Sequence, residues 1–192
     1  MGKKQTKERC PWPTDDGLMI EYHDTEWGVP VHDDRKLFEY LVLDIFQAGL
    51  SWRTVLHKRK SFREAFANFE PAKIARYNKR KITSLLNNPG IIRNRLKIEA
   101  VINNAKSLLK IQKEFGSFDA YVWGFVNGTT IRNHCKKLED IPSKSRESNA
   151  MSQDMKKRGF KFVGSTICYA FMQSSGMVND HLTYCFRYTQ CS

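Results

Sequence analysis

The sequence predicts an all-α fold. Apolar residues recur at the 3.6-residue helical spacing in several segments. Capping residues precede those segments and Gly or Pro follows them. No stretch of six residues alternates convincingly with period two.

In chain order, Asp33 or Asp34 is placed to cap a helix beginning near Arg35, with Leu37, Phe38, Leu41, Val42, Ile45 and Phe46 apolar and Gly49 ending it. Ser51 reads as the cap of a short helix through Leu56. Ser61 and Glu64 form a capping-box pattern ahead of Ala65, Phe66 and Phe69. Pro71 suits the first turn of another short helix, and Ile82, Leu85 and Leu86 share a face of the next. Asn87-Asn88-Pro89-Gly90 is a strong break. Beyond it, Ile91, Ile98, Ile102, Ala105 and Leu109 mark the most regular amphipathic helix. Ser117 caps a predicted helix carrying Phe118, Tyr121, Val122, Phe125 and Val126, stopped by Asn127-Gly128. Residues 128–146, with Pro142, read as an irregular polar connection. A helix from about Ser148 to Arg158 stops at Gly159, and a last one from about Val163 to Ser175 stops at Gly176.

At 192 residues and 41% apolar, the chain suits one domain, or one compact body of two lobes, with a real core. The formal charge is +12, unevenly placed. Residues 1–50 carry a net −4 and residues 51–192 a net +16. The larger part looks built to meet a polyanion, although scattered solvated lysines would give the same total. The N-terminus is basic with no apolar run after it, so it does not read as a signal peptide. Gly2 with Thr6 fits an acylation pattern only loosely. No apolar run of about 18 residues is present, and no membrane span is expected. Five widely spaced cysteines, Cys10, Cys135, Cys168, Cys185 and Cys191, argue against a disulfide framework and for a reducing cytoplasm.

Three constellations carry chemistry. From Leu85 to Arg95 two predicted helices flank a Pro-Gly hairpin; Gly90 permits close backbone approach, and Arg93, Arg95 and Lys97 add charge beside a helix N-terminus that could receive a phosphate. This pattern fits a helix–hairpin–helix grip on DNA backbone, or an ordinary helical corner. Cys10 and His23 near one end, with His181 and Cys185 near the other, make a Cys2His2 set suited to closed tetrahedral zinc. His181 and Cys185 are four apart and would share a helix face; spacing alone leaves chance open. Such a clip would help most where sequence separation makes closure costly. Third, Asp44 sits among Leu41, Val42, Leu43, Ile45 and Phe46, where a carboxylate is buried or lines a pocket and needs a partner. Trp12, Tyr22, Trp27 and Trp52 offer rings for a flat or cationic base, or plain core. His32, His57 and His134 read as surface or core residues, and Cys135, Cys168 and Cys191 as unpaired thiols.

The sequence resembles the 3-methyladenine DNA glycosylase I family of the helix–hairpin–helix glycosylase superfamily. The matching stretches are Arg9-Cys10-Pro11-Trp12, Tyr22-His23-Asp24-Thr25-Glu26-Trp27-Gly28-Val29-Pro30, Phe46-Gln47-Ala48-Gly49-Leu50-Ser51-Trp52, Gly90-Ile91-Ile92-Arg93-Asn94, Lys156-Lys157-Arg158-Gly159-Phe160-Lys161-Phe162-Val163-Gly164 and Gly176-Met177-Val178-Asn179-Asp180-His181. They run in order from about residue 9 to 188. The resemblance implies the helix–hairpin–helix glycosylase fold as a single domain over 1–192, with 38–112 as the hairpin lobe and 1–37 with 113–192 as a zinc-stapled lobe. It implies structural Zn2+ on Cys10, His23, His181 and Cys185. It places Asp44, Tyr22 and Trp52 at the chemistry and Tyr22, Trp27, Trp52 and Trp12 around the base. Gln47 and Leu50 fill the duplex gap, while Gly90, Arg93 and Arg95 hold DNA.

The implied reaction is monofunctional hydrolysis of the N-glycosidic bond of 3-methyladenine in alkylated double-stranded DNA, after base flipping. A monomer acting at the nucleoid in the bacterial cytoplasm, away from membranes, is expected. The family usually has Leu-Glu-Gly where this chain has Leu43-Asp44-Ile45, so the carboxylate is one methylene shorter and a Gly is a bulky Ile. That change bears on lesion preference and rate, and leaves two rival readings: a non-enzymatic zinc-stabilised lesion binder, and a glycosylase for another damaged purine.

Overall fold

Ten α-helices carry residues 7–191, the part of the chain this computed structural model describes. They are α1 (Gly17–Thr25), α2 (Asp34–Gln47), α3 (Trp52–His57), α4 (Arg59–Ala65), α5 (Pro71–Ile74), α6 (Lys79–Leu86), α7 (Arg95–Phe115), α8 (Phe118–Trp123), α9 (Arg146–Lys157) and α10 (Ser165–Ser174). The all-α expectation holds. The acylation-like pattern at Gly2 and Thr6 falls outside the described residues. No helix among those described is long and apolar enough to cross a membrane.

Helix α2 is the axis of the molecule. All residues from Leu37 to Phe46 are buried, which matches an apolar run with no polar stripe. It packs against α10, α3, α7 and α8. Phe46, Phe62, Phe66 and Phe69 extend its core toward α4, with Phe46 and Phe62 ring centroids 4.6 Å apart. Asp33 caps α2 by accepting from the Lys36 amide at 2.8 Å. Asp34, the other candidate cap, instead receives the Phe118 and Asp119 amides at 2.8 Å and so anchors the start of α8. Ser51 and Ser117 cap α3 and α8 as expected.

Several boundaries move. Ser61 is not a cap: α4 starts at Arg59, almost continuous with α3, so the preceding helix sets its entry. Asn94 caps α7, so Ile91 and Arg93 belong to the hairpin before it and not to the helix. Helix α1, capped by Asp16, has no counterpart in the sequence reading, since it buries only Met19, Tyr22 and His23 and shows no repeated stripe. Two-residue strands β1 (Ile131–Arg132) and β2 (Val178–Asn179) pair in parallel across the region read as irregular. Strands that short cannot display an alternation. His181 lies in irregular chain just after β2 and Cys185 at a bend beyond it, not on a helix face.

A second small core gathers Cys10, Cys135, Leu182 and Cys185. Trp12 and Trp27 pack against both cores, which puts two indoles between the main body and the Cys/His cluster.

Candidate active site and metal centre

Where α2, α10 and the N-terminal segment converge, Trp12, Tyr22, Trp27, Asp44, Gln47, Trp52, Ala170, Gln173 and Ser174 line one recess of about 210 Å³. That is smaller than sites for drug-sized ligands, roughly 300–1,000 Å³, and on the scale of one nucleobase. The fold therefore brings together all four rings and the carboxylate that the sequence singled out. Tyr22 and Trp52 stand with ring centroids 4.9 Å apart, and Trp12 meets Trp27 edge-on at 5.1 Å. The Nε1–H groups of Trp12 and Trp52 are buried without a protein acceptor. Buried donors left unpaired are costly and concentrate where a ligand is expected to satisfy them.

Asp44 is only 2% exposed. Burial raises its carboxyl to about 8, against the opposing effect of a hydrogen bond from Ser174. The Ser174 Oγ lies 3.0 Å from Asp44 Oδ2 and 3.1 Å from the Phe171 carbonyl. Its one hydrogen serves either acceptor. A charged Asp44 takes it, while a protonated Asp44 donates to Oγ and leaves that hydrogen to Phe171. The Tyr22 phenol is held far above its ordinary value by burial and then by Asp44. Ile45, which stands in the unusual position beside Asp44, is absorbed fully into the core.

The walls are braced from behind. Arg59 binds Glu26 with two hydrogen bonds of 2.7 and 2.8 Å and Glu39 with one of 2.7 Å, tying the turn before Trp27 to α2 and α4. Burial alone would raise the Glu26 carboxyl, but Arg59 and Lys36 hold it at about 2. Opposite, the buried Asp180 accepts from Gln173 Nε2 and the Tyr169 hydroxyl at 2.7 Å each and from Asn133 at 2.7 Å. Gln173 and Ser174 escaped the sequence reading because two polar residues near the end of an amphipathic helix carry no motif. Their only signal is position, in the last turn of the helix ahead of Gly176.

Cys10, His23, His181 and Cys185 form a buried cluster whose donor atoms all lie within 4.8 Å of one another. Cys185 Sγ is 3.5 Å from His23 Nε2 and 3.6 Å from His181 Nδ1, and Cys10 Sγ is 3.7 Å from His181 Nδ1. Tetrahedral bonds of about 2.3 Å to sulfur and about 2.0 Å to nitrogen imply S to N edges of roughly 3.6 Å. The donors fit a closed four-coordinate ion. Both imidazoles are oriented for it: His23 Nδ1–H meets Asp24 at 2.8 Å, and His181 Nε2–H meets the Trp27 carbonyl at 2.9 Å, which turns the other nitrogen of each inward. The hydrogen bond between the thiols, aided by both histidines, pulls Cys185 toward thiolate and pushes Cys10 up. Gly28, at φ +77°, lets the chain pass His181, where an added Cβ would sit 3.1 Å from the ring. His32, His57 and His134 pair with Asp119, Asp16 and Tyr188 outside the cluster. Cys135, Cys168 and Cys191 are buried free thiols.

The remaining candidates lie on two turns. Leu50, 45% exposed, projects from the turn after α2, next to Gln47 in the recess wall. In the hairpin between α6 and α7, Asn88 Oδ1 receives the Gly90 amide at 2.8 Å, and a Cβ on Gly90 would sit 3.0 Å from Ser61. Arg93 and Arg95 are exposed, but Lys97 is not: it is buried and bonded to backbone, so its charge is not on the hairpin surface.

A profile of the methyladenine glycosylase family matches residues 12–188. The chain is 49% identical over 177 residues to a DNA-3-methyladenine glycosylase of Haemophilus influenzae, covering 92% of this chain and 96% of that one. A crystal structure of 3-methyladenine DNA glycosylase I superposes with a TM-score of 0.91 at 50% identity, covering 93% of this chain and 98% of the other. A 3-methyladenine DNA glycosylase I variant in complex with 3-methyladenine superposes at 0.90 with 35% identity, covering 93% and 96%.

Proposed function

This chain belongs to the methyladenine glycosylase family, and we propose that it is a base-excision repair enzyme that hydrolyses the N-glycosidic bond of 3-methyladenine in alkylated DNA. The observation that carries this reading is a base-sized recess in which one buried carboxyl, Asp44, faces aromatic walls. A purine methylated at N3 bears positive charge while still bonded to the sugar. Aromatic faces and a carboxylate favour that cation over neutral bases. The base departs as neutral 3-methyladenine with the electron pair of the glycosidic bond, water adds its hydroxyl at the sugar carbon, and the proton of that water, carrying the positive charge the nucleotide bore, is released to solvent. The products are an abasic site and free 3-methyladenine. The leaving group is already activated, so selection and orientation are most of what the protein contributes.

In this reading Trp52 and Tyr22 hold the faces of the flipped base, Trp27 and Trp12 close the cage, and Asp44 accepts from its edge. Gln47 and Leu50 occupy the gap in a duplex gripped at Gly90, Arg93 and Arg95, the hairpin of a helix–hairpin–helix element. The chain acts as a single domain over 1–192, with 38–112 as the hairpin lobe and 1–37 with 113–192 as the stapled lobe. Zn2+ on Cys10, His23, His181 and Cys185 would be a structural ion, since four protein donors leave it no open position. The enzyme works as a monomer in the cytoplasm. The test is single-turnover excision on duplexes carrying 3-methyladenine, 7-methylguanine or hypoxanthine. Selective release of 3-methyladenine is expected. Release of another base alone would reassign the substrate, and tight binding with no release would reassign the protein as a lesion binder.

A further inference from the structure

Lys97 is 6% exposed, and its ammonium donates to two carbonyls, Phe46 at 3.0 Å and Ala48 at 2.6 Å. Among the described residues no carboxylate lies within ion-pair distance of it. A buried ammonium held only by backbone oxygens is costly unless those oxygens are the loose end of a helix. Here they are. Phe46 lies in the last turn of α2 and Ala48 is its C-cap, so the cation meets carbonyls that lack helical partners at the negative end of the helix dipole. The opposite end of the lysine is equally fixed: the Lys97 amide is capped by Asn94 Oδ1 at 3.1 Å in the first turn of α7. Lys58 adds a weaker, exposed tie from the end of α3 to the Pro89 carbonyl of the hairpin at 3.0 Å. Burial pulls the Lys97 ammonium below its usual value, yet this side chain has no other role visible in the fold.

From this geometry we infer that Lys97 is a positioning residue that locks the Gln47–Leu50 turn to the helix leaving the hairpin. The inference rests on the proposed roles of Leu50 and the hairpin at DNA. Along residues 47 to 50 the backbone is held to itself only by the Ala48 amide to the Ile45 carbonyl at 3.3 Å and the Leu50 amide to the Gln47 carbonyl at 2.7 Å, so little else on the turn itself fixes where Leu50 points. With Lys97 in place, docking the hairpin on backbone phosphates sets the depth at which Leu50 enters the duplex. Without it, the pocket survives but the wedge is no longer registered to the grip. Misplacement of about 1 Å away from the chemistry can lower a rate about 100-fold.

The test compares wild type with Lys97→Met, which keeps the apolar stem and removes the ammonium. Insertion is read on an uncleavable duplex carrying an abasic analogue beside 2-aminopurine, whose fluorescence reports unstacking without any chemistry. Pocket integrity is read by quenching of tryptophan fluorescence with free 3-methyladenine. The inference expects the 2-aminopurine signal to collapse and single-turnover excision to fall about tenfold or more, with free-base affinity kept within about twofold. Insertion and excision equal to wild type would overturn it. So would a loss of free-base affinity in proportion to excision, because that marks general unfolding. Should Lys97→Met fail to fold, Lys97→Arg carries the test: it retains donors for the two carbonyls and is expected to keep the insertion signal, whereas loss of signal in a stable Arg variant with intact free-base binding would count against the inference. Failure of the glycosylase reading is separate, since it would show as no base release by wild type.

Discussion

Replacing Asp44 by Asn should make the protein more stable, and increasingly so as pH rises. The Asp44 carboxyl ionises near 8 in the folded chain against an ordinary 3.8. Between those values the folded chain holds the proton and the unfolded chain does not, so wild-type stability falls as pH rises through that window. Each pH unit inside the window costs about 1.4 kcal/mol, which makes the penalty about 2 kcal/mol at pH 5, about 4 kcal/mol at pH 7 and a plateau above about pH 8. The Asn side chain does not ionise and escapes this. Its amide still needs partners in place of the carboxyl beside Ser174, a fixed offset that does not change with pH. The slope is thus the cleaner quantity: the stability difference between Asp44→Asn and wild type should widen by about 1.4 kcal/mol per pH unit from 5 to 7. Urea denaturation of both proteins at matched zinc concentration, at pH 5, 6, 7 and 8, measures it. A difference flat with pH would refute the claim that this carboxyl is buried with a raised pKa. A widening difference with excision retained in the Asn variant would keep the electrostatics and remove Asp44 from the mechanism.

Further outcomes follow from the same site. For a cationic lesion the charged form of Asp44 is the useful one, so kcat/KM should fall about tenfold per pH unit below about pH 8 and level off above it; Asp44→Asn should be slower and lose this dependence. Ser174→Ala removes the donor that favours the carboxylate, so the break in that profile should move to higher pH, read from the same rate measurements. Cys185→Ser should lower the melting temperature by about 10 °C or more, and a chelator should then have no further effect, as calorimetry would show. Arg93→Ala with Arg95→Ala should reduce the slope of log affinity against log salt by about 2, since in the proposed grip each of these exposed arginines takes one phosphate.

How far the sequence reaches depends on whether a residue's role is local. The apolar run of α2 and the Asn-Pro-Gly hairpin are written in adjacent residues and were legible. The chemistry of Cys10, His23, His181 and Cys185 was legible as residue types, but their meeting required the chain ends to come together, and the helix face supposed for His181 and Cys185 is an irregular segment ending in a bend. Asp44 could be recognised as a carboxylate in apolar surroundings because its neighbours in sequence are also its neighbours in space. The role of Ser174 and the role of Asp34 at α8 could not, since each acts on a group far along the chain: Ser174 on Asp44, and Asp34 at the start of α8. Gln173 reaches Asp180 only seven residues on, but across a turn and β2, where no periodic pattern links the two. Lys97 shows the reverse error. Read beside Arg93 and Arg95 it looks like one more phosphate contact, yet its helical position turns it inward to the end of α2.

The most direct test of the account is the release of free base from DNA treated with a methylating agent, resolved by chromatography, with zinc-loaded protein and its Asp44→Asn variant run in parallel. A 3-methyladenine peak well above spontaneous loss for the wild type, and sharply reduced for the variant, is the predicted result. No base released by the wild type, while it still binds abasic duplex tightly, would contradict the assignment of a glycosylase and leave the shortened carboxylate at Asp44 beside Ile45 as the reason.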